Sequence, residues 1–269
     1  MQRVTSLGNP RLREAVRLMN SSRERRKAGR CVLEGEHVVD VYVARVGKPH
    51  ILILTDDIAA TEVGERLARE ADATLVVPEA LFTEATALPS AVGMIAVVPA
   101  PRLEPRVDAQ FSVLLEDVQD PGNVGSILRT AAAAGVEQVL LSKHCAFAWA
   151  PKVLRAGQGA HFHLAIAEDV DLVAWSRAFR ASGGELVALV PAGGASLFAT
   201  DLRPPLALAI GNEGAGLSRA LLDVAARAVT IPMPGGTESL NAAAAAAVCL
   251  FEAVRQRGTA GPFGGAPAT

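Results

Sequence analysis

Residues 230–241 run Thr230-Ile231-Pro232-Met233-Pro234-Gly235-Gly236-Thr237-Glu238-Ser239-Leu240-Asn241 and lead without a break into an alanine-rich helix pattern that reaches Arg257. Two further polar loops lie upstream, Gly211-Asn212-Glu213-Gly214-Ala215-Gly216-Leu217-Ser218 and Asp120-Pro121-Gly122-Asn123-Val124-Gly125-Ser126-Ile127-Leu128-Arg129. In chain order we call them the first (120–129), second (211–218) and third (230–241) motifs. Each follows an apolar run and precedes a helical pattern. Because α/β sheets bind ligands outside the carboxyl ends of their strands, these loops favour an enzyme.

Around the motifs, apolar runs alternate with helical patterns from residue 108 onwards. The predicted strands are 111–118, 139–142, 162–167, 186–191, 206–210 and 229–233. The predicted helices are 124–134, 152–156, 170–181, 217–225 and 240–257. Strands that are apolar along their length and separated by helices predict a parallel sheet covered on both faces. We therefore expect an α/β domain over residues 108–258.

A smaller α/β module is expected over residues 1–99. Asn9-Pro10 predicts a helix start, with the helix ending near residue 21. The further predicted elements are strands at 30–34, 50–55, 74–78 and 94–99 and helices at 36–45, 61–71 and 79–86. Three prolines break the pattern near residues 100–107, which we take as a linker. The tail 259–269 is rich in glycine, proline and alanine, and we expect it to be disordered.

Composition excludes several other classes of protein. Charged residues interrupt every apolar run before it could cross a bilayer, and the N-terminus has no secretory pattern, so the cytoplasm is the expected compartment. The cysteines Cys31, Cys145 and Cys249 are far apart, and we expect reduced thiols. His161-Phe162-His163 predicts a strand with both imidazoles on one face. Without a carboxylate or cysteine partner it favours a structural role, so we expect no metal site.

The chain has a net charge of −2, but residues 1–30 carry nine Arg and Lys against Glu14 and Glu24. Such a basic segment suits the phosphate backbone of a nucleic acid. The candidate RNA-binding residues are Arg23, Arg25, Arg26 and Lys27. The alternative is a solvated helical face.

Taken in this order, the three motifs resemble those of the SpoU/TrmH family of RNA 2′-O-ribose methyltransferases, in the SPOUT class. The resemblance covers about residues 108–258 closely and the N-terminal part, with Cys31-Val32-Leu33-Glu34-Gly35, more loosely. It implies S-adenosyl-L-methionine as cofactor, a trefoil knot in the C-terminal domain, and a homodimer with the site near the subunit interface. The N-terminal module resembles the ribosomal-protein-like domain of rRNA-modifying members. That favours 23S rRNA as substrate, with tRNA as the alternative.

The resemblance also implies roles for individual residues. The catalytic candidates are Asn123, Arg129, Glu213, Ser239 and Asn241. The cofactor-binding candidates are Gly211, Ile231, Met233 and Leu240. Judged from spacing alone, several have plainer interpretations: a helix cap for Asn123 and for Ser239, a surface ion pair for Arg129, and a carboxylate bonded to loop amides for Glu213.

Two other functions are compatible with parts of the sequence. A nicotinamide-dependent oxidoreductase would need G-x-G-x-x-G in its first strand-to-helix turn, whereas the second motif has G-x-x-G-x-G late in the chain. A non-catalytic RNA-binding or ribosome-assembly protein would have no reason to keep the whole set of polar motif residues. For the methyltransferase, Arg129 is a poor base because an arginine stays protonated. We expect it to orient the ribose and to stabilise the developing alkoxide.

Overall fold

A computed structural model of the chain describes residues 1–86 and 93–258. These residues form two compact units, one containing Met1–Arg102 and Trp149–His163, the other containing Leu103–Ala148 and the chain from Leu164 onwards. The predicted tail, 259–269, lies outside the described residues. Residues 149–163 were expected in the second α/β series, but the structure assigns them to the first unit. There Val153 and Leu154 are buried and Arg155 forms an ion pair with Glu34 at 2.8 Å.

The elements before residue 103 follow the predicted alternation closely. In chain order they are β1 (Gln2–Arg3), α1 (Pro10–Asn20), α2 (Ser22–Ala28), β2 (Arg30–Glu34), α3 (Glu36–Arg45), β3 (Ile51–Thr55), α4 (Asp56–Ala59), α5 (Glu62–Glu70), β4 (Thr74–Val77), α6 (Glu79–Thr86) and β5 (Met94–Pro99). The predicted helix start is confirmed, since the Asn9 side chain accepts hydrogen bonds from the backbone N–H groups of Arg11 and Leu12. The five strands form one mixed sheet in the order β1-β4-β3-β5-β2.

The later elements are β6 (Phe111–Leu115), α7 (Pro121–Ala133), β7 (Gln138–Leu141), α8 (Pro151–Gly157), β8 (Ala165–Ala167), α9 (Leu172–Ala181), β9 (Glu185–Leu189), β10 (Ala195–Ser196), β11 (Leu206–Ile210), α10 (Arg219–Val224), β12 (Arg227–Thr230) and α11 (Ala242–Gly258). Two short 3₁₀ helices span Ala160–His163 and Leu197–Ala199. The predicted strand at 162–167 is therefore too long. Left-handed backbone at Gln158 and Gly159 turns the chain, and His161 lies buried beside Trp149 rather than on a strand.

The second unit is built on a seven-stranded sheet in the order β10-β12-β9-β11-β6-β7-β8. All six strand pairs are parallel, as the apolar strands predict. Strands β6 and β11 are neighbours, with Leu115 opposite Ile210, so the first and second motifs leave the sheet side by side. The third motif follows β12, which β9 and β11 separate from β6. The loop of the third motif must therefore pass the carboxyl ends of β9 and β11 to reach the first motif. The trefoil knot stays a prediction.

Arg25 has a structural position within the basic segment of the first unit. Only 6% of the residue is exposed, and its guanidinium donates hydrogen bonds to the carbonyl oxygens of Leu18 and Met19. These carbonyls end α1 and have no partner within the helix, so Arg25 caps that helix. The predicted contact between Arg25 and RNA is thus replaced by a contact within the protein. Arg23 and Lys27, by contrast, are exposed.

Candidate active site

The first motif begins its helix earlier than the sequence predicts. Asp120 is the N-cap of α7, because its carboxylate accepts the backbone N–H of Asn123 at 2.8 Å. Pro121 occupies the first helical position, where its fixed φ suits the helix and its missing N–H costs nothing. The interpretation of Asn123 as the cap was therefore wrong. Asn123 lies within the first turn, almost buried, and its amide is available for other partners.

The second motif closes on itself through its backbone. Asn212 and Gly216 exchange two backbone hydrogen bonds, and the Asn212 side-chain oxygen accepts the N–H groups of Gly214 and Ala215. Gly211 is required for this closure, since a Cβ there would lie 2.2 Å from the carbonyl carbon of Gly216. The resulting tight loop presents Glu213 toward the first motif.

Glu213 joins the second motif to the first. Its carboxylate accepts the backbone N–H groups of Gln119 and Asp120 at 3.3 and 3.2 Å and the Asn123 amide N–H at 2.9 Å. Burial alone would raise the pKa of Glu213, but these hydrogen bonds outweigh it and hold the pKa below its usual value. The carboxylate is therefore a permanent acceptor at neutral pH. Its bonds to loop amides match the plainer interpretation of this residue, with Asn123 as an added partner.

Asn241 joins the third motif to the same place. Its amide nitrogen donates to the Asn123 side-chain oxygen at 2.9 Å, and its own oxygen accepts the N–H groups of Ala243 and Ala244. Asn241 thus caps α11, which starts at Ala242, two residues later than predicted. Ser239 does not serve as this cap.

Glu213, Asn123 and Asn241 form one chain of polar side chains in which the direction of each hydrogen bond is determined. Glu213 only accepts, so the nitrogen of the Asn123 amide must face it and the oxygen must face Asn241. The Asn241 nitrogen then faces Asn123, which leaves its oxygen for the helix N–H groups. Neither amide can be flipped without placing two acceptors or two donors against each other. All three motifs are therefore held in a single hydrogen-bonding arrangement.

The remaining candidate residues lie outside this chain. Arg129 is exposed on α7 and has no hydrogen bond or ion pair among residues 1–86 and 93–258, so the surface ion pair is absent there. Ser239 and Leu240 are exposed, Met233 is half-buried and Ile231 is buried. The structure brings together Asn123, Glu213 and Asn241. It leaves the guanidinium of Arg129 and the hydroxyl of Ser239 without a bond to them.

Sequence reasoning missed Glu116 as a support of the site. Its two carboxylate oxygens accept the backbone N–H and the hydroxyl of Ser218, each at 2.7 Å. Ser218 in turn caps α10 by accepting the N–H of Leu221. The available signal was a carboxylate directly after a buried strand, at the edge where the motif loops meet.

Two features are absent from the described part of the chain. It contains no cluster of three or more His, Cys, Asp or Glu side chains arranged to hold a metal ion. Nor does any helix within residues 1–86 and 93–258 have the length and apolar character needed to cross a membrane.

Comparison with models of known protein families identifies the family of this chain. The model of the SpoU rRNA Methylase family matches residues 110–251, a range that contains all three motifs. This chain belongs to the SpoU rRNA methylase family. The family predicted from the motifs is confirmed, and the three residues of the polar chain all lie within the matched range.

Similar proteins match both units of the chain. The 23S rRNA (guanosine(2553)-2′-O)-methyltransferase RlmP of Bacillus subtilis is 30% identical over 253 residues, covering 93% of this chain and 98% of that protein. The 23S rRNA (uridine(2479)-2′-O)-methyltransferase of Streptomyces viridochromogenes is 31% identical over 267 residues, covering 95% and 93%. The crystal structure of the SpoU methyltransferase AviRb from S. viridochromogenes, in complex with AdoMet, has a TM-score of 0.82 and 31% identity. It covers 94% of this chain and 100% of that one. The predicted α/β fold class is confirmed.

We predict that Asn123→Asp destabilises the protein in a pH-dependent way. The substitution puts a second carboxylate against Glu213, and one of two such groups takes up a proton at raised pKa. We expect a loss of about 1–3 kcal/mol at neutral pH, part of which returns as the pH falls and the shared proton binds. Thermal unfolding across a pH series measures it. Asn123→Ala is the control, because it removes the same hydrogen bonds without adding a charge. Equal losses at every pH for both variants would contradict the arrangement.

Proposed function

We propose that this protein transfers a methyl group from S-adenosyl-L-methionine to a ribose 2′-oxygen of 23S rRNA. The observation that carries the proposal is the chain of hydrogen bonds from Glu213 through Asn123 to Asn241, which joins the three motifs. The reaction class predicted from the motifs, RNA methylation, is confirmed by membership of the family. We prefer 23S rRNA to tRNA because relatives named for 23S rRNA match the first unit as well as the second.

The second and third motifs have the surfaces that the cofactor requires. A Cβ at Gly211 would lie 2.2 Å from the carbonyl carbon of Gly216, so the two backbones lie directly against each other and Gly211 offers the cofactor backbone groups only. Ile231, Met233 and Leu240 supply apolar side chains around the glycine pair of the third motif. We assign these four candidate residues to the adenosine and methionine parts of S-adenosylmethionine. When bound, the cofactor supplies the methyl group on a sulfonium centre.

The polar residues divide into positioning and reacting groups. Glu213, Asn123 and Asn241 hold the motifs together and keep their amides oriented, which preorganises the site. Ser239 offers an exposed hydroxyl next to Asn241, and we assign it to the ribose. Arg129 has a guanidinium without a partner among the residues that the structure describes, which suits it to hold the target nucleotide and to stabilise negative charge on the 2′-oxygen.

We predict that Arg129→Ala abolishes most methyl transfer but changes cofactor affinity by no more than several-fold. A group that acts on the ribose in the transition state contributes little to cofactor binding in the ground state. Transfer of labelled methyl from S-adenosylmethionine to 23S rRNA measures the first effect, and calorimetry the second. Calorimetry should show binding of S-adenosylmethionine or S-adenosylhomocysteine and no binding of NAD. Arg177→Ala, at another exposed arginine of the second unit, is the control. Near-normal turnover by Arg129→Ala would show that Arg129 is only a surface residue.

RNA binding by the basic helix α2 is proposed for Arg23, Arg26 and Lys27. Arg25 was a candidate as well, but its guanidinium caps α1. We predict that replacing Arg23, Arg26 and Lys27 by Gln weakens RNA binding and flattens its salt dependence. Each lost phosphate contact should reduce the slope by roughly 0.7–0.9 log units per log unit of salt.

Arg25→Gln is the matched control for this variant, because it removes the same kind of charge from the same helix. It should lower the melting temperature and leave the salt slope almost unchanged. RNA affinity across a salt series, together with thermal unfolding, compares the two variants. An unaltered slope in the triple variant would mean that the segment is a solvated face.

A homodimer is also proposed, on the basis of the family resemblance and of one exposed side chain. Phe251 lies on α11, the helix that follows the third motif, and is 49% exposed. Phe251→Glu should shift the protein toward monomer in light scattering, whereas Phe198→Glu, at another exposed phenylalanine, should not. If Phe198→Glu and not Phe251→Glu produced monomer, the dimer interface would not include this face of α11.

We also propose the cytoplasm as the compartment of this protein, because an rRNA substrate is found there.

A further inference from the structure

Asp117, two residues after the end of strand β6, has an uncommon backbone conformation. Its φ is 55°, in the left-handed region, which a side chain with a Cβ enters at a cost. Aspartate tolerates this region better than most residues, but it does not select it over ordinary conformations without support. Asp117 therefore needs interactions that hold its peptide group in place. The resemblance and the proposed roles give this residue no function.

Ser142, which follows the neighbouring strand β7, supplies that support. Its hydroxyl accepts the backbone N–H of Asp117 at 2.9 Å and donates to the Asp117 carboxylate at 2.5 Å. One oxygen thus holds both the backbone and the side chain of the same residue. Ser142 is itself anchored, because its N–H donates to the carbonyl of Leu115. The pair is part of the sheet edge and not of a free loop.

The backbone conformation of Asp117 sets the direction of its carbonyl group, and this carbonyl supports the second motif. The side-chain nitrogen of Asn212 donates to the Asp117 carbonyl oxygen at 2.8 Å. The side-chain oxygen of Asn212 accepts the N–H groups of Gly214 and Ala215, on the far side of Glu213. The direction of the Asp117 carbonyl therefore determines where Asn212 lies. Asn212 in turn determines the turn that carries Glu213.

We propose that Asp117 and Ser142 are positioning residues for methyl transfer, an inference that rests on the proposed function. Ser142 holds Asp117 in the left-handed conformation, Asp117 presents its carbonyl to Asn212, and the second motif then places Glu213 against Asn123. The carboxylate of Asp117 takes no part in the chemistry. Its task is to accept the Ser142 hydroxyl, so that the backbone keeps its direction.

This proposal predicts an uncommon pattern of loss and rescue. Ser142→Ala should lower kcat roughly tenfold to a hundredfold, since small displacements of catalytic groups have effects of that size. Asp117→Gly should keep most of the activity, because glycine adopts a φ of 55° without a supporting hydroxyl. The double variant Asp117→Gly/Ser142→Ala should be more active than Ser142→Ala alone. We expect it within about threefold of Asp117→Gly, because the backbone no longer depends on the serine.

A second readout follows the loop itself. Hydrogen exchange at the Gly214 and Ala215 amides reports whether Asn212 still holds them. Ser142→Ala should speed their exchange, and the double variant should restore protection. Ser182→Ala is the control, because the Ser182 hydroxyl also bonds to backbone, at the carbonyls of Val107 and Phe179. It should leave kcat and the exchange of Gly214 and Ala215 unchanged.

Two results would overturn the proposal. If Asp117→Gly loses as much activity as Ser142→Ala and the double variant shows no rescue, the Asp117 carboxylate itself acts in the reaction. If exchange at Gly214 and Ala215 is the same in wild type and Ser142→Ala, the link through Asn212 does not operate. Failure of the proposed function has a different signature. Wild-type protein would then not methylate 23S rRNA, while the exchange pattern and its rescue would still appear.

Discussion

The two hydrogen bonds of the Asn123 amide are the constraint on which the site depends. They join Asn123 to Glu213, which lies 90 positions later in the chain, and to Asn241, which lies 118 positions later. Such distant partners meet only because parallel strands bring their carboxyl ends to one edge of the sheet. The amide has a donor at one end and an acceptor at the other, so it fits between a carboxylate and a second amide in one orientation. Its partners are thereby oriented too.

Carboxylates stabilise this edge of the sheet through backbone N–H groups. Loops and the first turns of helices leave such groups without partners in secondary structure. Glu213 satisfies those of residues 119 and 120, Asp120 that of Asn123, and Glu116 that of Ser218. The same carboxylates give the edge a negative charge, which an incoming RNA phosphate would meet. Arg129 lies on the same helix as Asn123 and makes no ion pair within residues 1–86 and 93–258, so it can offset that charge.

In the basic segment, neighbouring charged side chains differ in their roles: Arg25 stabilises the fold, whereas Arg23 and Lys27 lie at the surface. Arg25 and Arg26 are adjacent in sequence, yet Arg25 points back to the end of α1 and caps its carbonyls. A helix C-terminus attracts a cation through its free carbonyl groups and its dipole. In this segment Arg25 has the position and direction that this contact requires. A count of charges cannot tell which one that is.

The sequence alone determined most of the strand and helix pattern and the three motifs that point to the family, because these are local features of the chain. Asn9 as a cap, the strand at Leu206–Ile210 and the glycine spacing of the second motif are all local features. Only the tertiary structure decided that the Asn123 amide lies between Glu213 and Asn241, and that His161 is buried off the sheet. It also decided that Ser142 holds Asp117. These outcomes depend on strand register and on which loop faces which, and groups that many residues separate meet only after the sheet has formed.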